Sequence, residues 1–258
     1  MLKFSANLTL LFTEVDFLDR FERAAAAGFK GVEFTFPYAW EPELLAEKLA
    51  RYNLKQVLHN LPAGNWDVGE RGIALFPQRV AEYRDGLRLA IRYAKALNCP
   101  RLNCLAGVAP QNISEKAMRK TLIENLSYAA DMLADQNIQL LIEPLNNRDV
   151  PGFYLNTSAD ALKLIEAVSH PNIHLQYDIY HMQIMEGDLI QTIQAHMDQI
   201  AHIQLADNPG RHQPGTGEIN FTNLFSFIEQ AGYPGWLGCE YIPTGRTEDT
   251  LAFLKPYR

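Results

Sequence analysis

Short apolar runs rich in β-branched and aromatic residues alternate along this chain with longer stretches whose apolar positions recur every three or four residues. The short runs begin near Lys3, Gly31, Lys55, Arg101, Gln139, Ile173, Ala201 and Trp236, on average about 33 residues apart, the length of one strand–helix unit. Between them lie amphipathic helices. Met118, Leu122, Leu126, Ala129 and Leu133 step by 4, 4, 3 and 4 and make one stripe. Thr13-x-x-Asp16 and Thr157-x-x-Asp160 read as capping boxes that open two of the helices. Gly28 and Gly232 each follow an Ala-rich helix end and read as left-handed C-caps, and the residues after them repeat one junction, Ala27-Gly28-Phe29-Lys30-Gly31 and Ala231-Gly232-Tyr233-Pro234-Gly235. Eight such units predict a parallel sheet, and their size predicts a single α/β domain over residues 1–258, a (β/α)₈ or TIM barrel. An open doubly wound sheet is the alternative. It would usually carry a Gly-rich nucleotide loop, and none is visible.

Two connections exceed ordinary loop length: Leu61 to about Pro77, with Gly64, Gly69 and Gly72, and Asp207 to Asn220, with Pro209, Gly210, Pro214, Gly215 and Gly217. Both leave the C-terminal end of a strand, the side on which barrel active sites lie. Composition narrows the class further. With 47% apolar and 21% charged residues the chain is not disordered, and a net charge of −7 makes nonspecific binding to nucleic acid or an anionic membrane a poor expectation. Three cysteines with no C-x-x-C pair point to a reducing compartment, so a cytoplasmic protein is expected. The N-terminal stretch is broken by Asn7 and Thr9 and followed by Glu14 and Asp16, unlike a signal peptide, and no apolar run approaches the 18 residues of a membrane helix.

Four polar residues interrupt the last four apolar runs: Glu143 after Leu140-Leu141-Ile142, Asp178 after Leu175-Gln176-Tyr177, Gln204 after His202-Ile203, and Glu240 after Gly238-Cys239. They fall 35, 26 and 36 residues apart, one in each consecutive unit, so a barrel would gather them at its mouth. Three carboxylates brought together repel unless a cation lies among them. Four oxygen donors favour a hard divalent ion, Mg²⁺ or Mn²⁺, over Zn²⁺. Four unrelated polar residues at the surface, each at a strand end, are the alternative.

Several segments carry a resemblance. Phe4-Ser5-Ala6-Asn7-Leu8, Gly31-Val32-Glu33-Phe34, Leu58-His59-Asn60-Leu61-Pro62-Ala63-Gly64 and Gln176-Tyr177-Asp178-Ile179-Tyr180-His181-Met182 resemble the hydroxypyruvate isomerase family, as do Ile203-Gln204-Leu205-Ala206-Asp207-Asn208-Pro209, Pro214-Gly215-Thr216-Gly217-Glu218-Ile219-Asn220 and Gly238-Cys239-Glu240-Tyr241. That family belongs to the xylose-isomerase-like barrels, and the resemblance spans essentially the whole chain. It implies that Glu143 and Glu240 are the acid/base pair. By similarity to related ketose epimerases it implies that Glu143, Asp178, Gln204 and Glu240 hold the metal, with Gln204 where those relatives place a His. It also implies that His181 contacts a substrate oxygen. His59, at the end of a strand before a long loop, is a candidate for the same task.

A carboxylate substrate needs cations, and Arg71 and Arg211 sit on the two long loops, where Arg suits two parallel hydrogen bonds to a planar anion. His170, His174, His196, His202 and His212 show no comparable placement. There is no G-x-x-x-x-G-K-[ST], G-x-S-x-G or H-E-x-x-H, and Cys104 and Cys239 read as buried thiols. The expectation is an aldose–ketose isomerase acting on a small hydroxy-oxo acid, interconverting hydroxypyruvate and 2-hydroxy-3-oxopropanoate. The alternatives are a 2-oxo-tetronate isomerase, a metal-dependent endonuclease on a related barrel, or a sugar-acid-binding barrel without catalysis. The sequence leaves a homo-oligomer open.

Overall fold

The computed structural model describes residues 1–257, and in it the eight predicted strands close into one all-parallel barrel in sequence order. They are β1 (Phe4–Asn7), β2 (Gly31–Glu33), β3 (Lys55–Asn60), β4 (Arg101–Cys104), β5 (Gln139–Ile142), β6 (Ile173–Asp178), β7 (Ile200–Leu205) and β8 (Leu237–Cys239). Closure comes from β1 pairing with β8, Ser5 opposite Gly238 and Ala6 opposite Cys239. The outer layer comprises α1 (Arg20–Ala26), α2 (Pro42–Arg51), α3 (Val80–Ala96), α4 (Glu115–Ala134), α5 (Ser158–Val168), α6 (Ile179–Met185), α7 (Leu189–His196) and α8 (Phe221–Gln230), followed by a 3₁₀ segment, Thr247–Tyr257.

Local chemistry accounts for most of the boundaries. The predicted stripe of α4, from Met118 to Leu133, is buried along its length. Each of its fully covered leucines contributes about 1.5–3 kcal/mol of burial. Thr157 caps α5 as its sequence foretells, its side chain accepting from the Asp160 backbone N–H. Gly28 and Gly232 have φ of 90° and 74°, the left-handed geometry of a helix C-cap. The other predicted box does not form. A 3₁₀ turn at Phe17–Asp19 leads into α1, Asp16 precedes it without a side-chain cap bond, and Thr13 caps nothing. Neighbouring Glu14 instead accepts the Thr247 backbone N–H at 2.6 Å, tying the β1 loop to the C-terminal segment. That segment seals the barrel wall through a cluster of Phe4, Phe225, Phe253 and Tyr257.

All three cysteines are buried, and burial pushes the Cys99 and Cys104 thiols up to about 12, which makes both inert near neutral pH. No described helix is long and apolar enough to cross a membrane.

Candidate active site

Side chains alternate along a strand. Phe4 packs outward on α8, so Ser5 and Asn7 of β1 point inward; in the same way Glu33, Asn103, Gln176, Asp178, His202, Gln204 and Glu240 meet inside. The interior of a barrel of this kind is usually filled by branched apolar residues. Here its upper part is polar, and it opens into a cleft of about 470 Å³ lined by Thr9, Asn60, Trp66, Arg71, Glu143, His181, Arg211 and Glu240, among others.

Glu143 and Glu240 sit in this cleft in unequal surroundings. Both oxygens of Glu240 are held: Asn7 Nδ2 donates to Oε1 at 3.0 Å and the Arg211 guanidinium to Oε2 at 2.7 Å. Glu143 receives one bond, from Asn103 Nδ2 to Oε2 at 2.8 Å. Burial, then the charges of Glu240 and Asp178, push the Glu143 carboxyl well above the usual carboxylate range. Burial also raises Glu240, to about 7, with Arg211 opposing the rise. The Arg211 guanidinium is bonded to Glu240 and not to Glu143, so Glu240 is the more readily ionised member of the pair.

Asp178 ends β6 and opens α6, its Oδ1 accepting the Tyr180 N–H at 2.8 Å. Its Oδ2 is buried without a hydrogen-bond partner, 3.6 Å from His181 Nε2 and 3.7 Å from Arg211. The His181 ring is oriented by Asn146, whose backbone N–H and side-chain amide both reach Nδ1, at 3.1 and 2.7 Å. The Asn146 oxygen accepts from the Arg148 and Asp149 amides, so the side chain cannot be turned over. Nδ1 is thus an acceptor and the proton lies on Nε2, facing the cleft. Burial, then the Arg211 charge, hold the ring well below its ordinary pKa, so His181 is a neutral donor.

Arg211 reaches this position because its loop is tied down from both sides. Asp207 accepts four backbone N–H groups, those of Asn208, Gly215, Gly217 and Ile219, at 2.8–3.1 Å. Beyond it, Arg211 (φ 57°) accepts the Ile242 N–H at 2.7 Å and His212 Nδ1 lies 2.7 Å from the Ile242 carbonyl, stitching the loop to the chain after β8. Arg71 is held differently, at the rim: its guanidinium lies 3.8 Å from the Trp66 ring centre and donates to the Trp66 and Glu70 carbonyls. Both arginines line the cleft, Arg211 bonded to Glu240 and close to Asp178, and Arg71 bonded to two backbone carbonyls. Arg71→Ala is expected to raise KM for an oxo acid about fivefold, the worth of a solvent-accessible charge contact of about 1 kcal/mol, with kcat little changed; steady-state kinetics checks it.

The site departs from its sequence description in two places. His59 does not reach the cleft. Its neighbour Asn60 lines it, and alternation sends His59 outward, edge-on to Tyr38, where burial holds the ring down to about 3 and both nitrogens lack side-chain partners. Gln204 is in the barrel, but its Nε2 donates to Glu33 at 2.8 Å and its oxygen accepts from Gln176 at 2.6 Å. Among the described residues, Glu143, Asp178 and His181 bring ligand atoms within 4.8 Å of one another. The unpartnered Asp178 Oδ2 and the surplus of carboxylates fit a divalent cation, whereas His181, protonated on Nε2, does not fit as a ligand. The sequence reading missed Asn7, Glu33, Asn103, Asn146 and His202. A polar residue within or closing an apolar run, as in Ser5-Ala6-Asn7 and Val32-Glu33, was the available signal.

A family model, the xylose isomerase-like TIM barrel, matches residues 21–257. The chain is 55% identical over 258 residues to a hydroxypyruvate isomerase of Escherichia coli, covering all of both chains. It is 44% identical to a 2-oxo-tetronate isomerase of Pectobacterium atrosepticum, covering 100% of this chain and 98% of that one. A crystal structure from Brucella melitensis titled as an AP endonuclease, family 2, superposes with a TM-score of 0.98 at 46% identity, with both chains fully covered.

Proposed function

This chain belongs to the xylose isomerase-like TIM-barrel family, and on that premise we propose that it is a hydroxypyruvate isomerase, interconverting hydroxypyruvate and 2-hydroxy-3-oxopropanoate. The observation that carries the reading is the pair of unequally protonated glutamates, Glu143 and Glu240, with a neutral donor, His181, and a fixed cation, Arg211, in one cleft. Glu240, the more readily ionised, takes the proton from the hydroxymethyl carbon. The electrons move into an enediolate. Glu143 returns a proton to the neighbouring carbon, the proton of the former hydroxyl passes to the former carbonyl oxygen, and the former hydroxyl becomes the aldehyde; exchange with solvent then restores the proton to Glu143 and removes it from Glu240. The C–H acid is weak, so the charge on the enediolate oxygens must be met. His181 Nε2–H and Arg211 are the chain's own donors for it.

Mg²⁺ or Mn²⁺ is part of this proposal. Glu143, Asp178 and Glu240 would hold it, with Gln204 contributing through the second lone pair of its amide oxygen. Bound there, the cation supplies electrophilic stabilisation to the same oxygens. A small-molecule substrate accords with the acidic mouth of a chain of net charge −7, which disfavours a phosphate backbone. A cytoplasmic location accords with three buried cysteines.

The second reading is a 2-oxo-tetronate isomerase. It is favoured by the cleft volume, about 470 Å³, which leaves room for a fourth carbon. Assays of the purified protein against hydroxypyruvate and against both oxo-tetronates decide between them, with the highest kcat/KM expected on hydroxypyruvate; a higher value on a tetronate selects the second. Dialysis against a chelator is expected to remove about one equivalent of divalent metal together with the activity. Full activity in metal-free protein overturns the cofactor proposal.

A further inference from the structure

Below the two glutamates lies a carboxylate that the reaction as described does not use. Glu33, the last residue of β2, is 1% exposed and sits inside the barrel. Its Oε2 accepts from Ser5 Oγ at 2.8 Å and lies 2.9 Å from His202 Nε2; its Oε1 accepts from Gln204 Nε2 at 2.8 Å and Asn7 Nδ2 at 3.3 Å. Burial pushes this carboxyl up, but His202, Gln204 and Ser5 together bring it below the usual carboxylate range. A charge at this depth is costly unless every lone pair is met, and the fold is shaped to meet them. A Cβ at Gly238, on β8, would collide with both Glu33 oxygens, so the glycine is a notch for the carboxylate.

Two amides rise from Glu33 toward the cleft, and neither can turn over. Asn7 Oδ1 accepts the Thr9 N–H at 3.0 Å, which leaves the Asn7 amide hydrogens for Glu33 Oε1 and Glu240 Oε1. Gln204 is fixed in the same way between Gln176 and Glu33. Glu240 is thereby gripped on Oε1 by Asn7 and on Oε2 by Arg211, and its carboxylate plane cannot rotate. We propose that Glu33, seated in the Gly238 notch, is a positioning residue that acts through Asn7 to hold the Glu240 carboxylate in the orientation proton transfer requires. This rests on the reading above that Glu240 moves the proton.

The test is a double-mutant cycle of Glu33→Ala and Asn7→Ala, read as kcat and KM on the acid that the wild type turns over best, with thermal unfolding in parallel. Each single variant is expected to lower kcat about 10–100-fold with KM within about threefold, because substrate contacts are intact and only the geometry of Glu240 is lost. The double variant is expected to be no slower than the worse single, since both remove one connection. A merely structural role would lower the melting temperature and leave the effects on kcat multiplicative or absent. Either of those results overturns the proposal. If Glu33→Ala fails to fold, Gly238→Ala takes its place in the cycle, because it retains every hydrogen-bonding group and displaces the Glu33 carboxylate. Absence of wild-type turnover on all the acids would instead sink the function. The positioning proposal fails separately, in a fully active wild type whose variants match it or combine multiplicatively.

Discussion

Glu143→Gln and Glu240→Gln are each expected to slow turnover by about 10²–10⁴-fold, the usual share of general acid–base catalysis. Glutamine keeps the volume and one oxygen while removing the titratable group, so metal content measured in the same samples separates lost proton transfer from lost metal. The two variants should differ in their pH profiles. In the wild type kcat/KM requires Glu240 ionised, so it should fall as pH drops below about 7, the value to which burial has raised that carboxyl. Glu143 must be protonated in the same direction of reaction, and its carboxyl, raised well above the usual carboxylate range by burial and by the Glu240 and Asp178 charges, sets the alkaline limb. Glu240→Gln should erase the acid limb and Glu143→Gln the alkaline limb from the residual rate. In D₂O a single turnover should carry deuterium into the product carbon, as an enediolate permits. Near-normal rates in both variants, with complete retention of the original hydrogen, would overturn the two-glutamate mechanism in favour of a hydride shift.

Arg211→Gln should be nearly as damaging, lowering kcat/KM at pH 7 by about 30–5,000-fold. That range follows from the 2–5 kcal/mol lost when one partner of a hydrogen-bonded charge pair is truncated. The guanidinium lies 2.7 Å from Glu240 and 3.7 Å from Asp178, and it is the group that opposes the rise in the Glu240 pKa. Without it that pKa moves further up, a smaller fraction of Glu240 is ionised at pH 7, and the acid limb shifts to higher pH. Part of the lost activity should therefore return on raising the pH, which a simple loss of substrate affinity would not produce. Arg211→Lys keeps the charge but not the two-pronged geometry and should recover only part of the rate. A pH–rate profile of both variants checks this, and an unshifted acid limb in Arg211→Gln would show that the cation does not act on Glu240.

Hydrophobic period alone determined the fold of this protein. Strand runs at Lys55, Arg101, Gln139 and Ile173 begin where β3 to β6 begin, because each is a short segment with apolar residues bounded by a helix end and a loop, and that information is local. The same locality revealed Glu143, Asp178, Gln204 and Glu240, a polar residue at the mouth end of each of the last four strands, along with the two loops that bring Arg71 and Arg211 to the cleft. Tertiary structure decided where each of these residues points and what it touches. His59 and Asn60 are neighbours in one strand, and only the register of β3 in the closed barrel sends the asparagine to the cleft and the histidine to the helices. Gln204 is a candidate ligand by its place at a strand end, and only closure sets its amide between Gln176 and Glu33. Glu33 and Asn7 stood in the sequence as single polar residues in short runs, 26 apart from each other, with Asn7 233 residues from Glu240. Burial and charge–charge interaction depend on distance in space. The unequal surroundings of Glu143 and Glu240, the neutral His181 donor and the buried carboxylate below them therefore exist only in the closed barrel.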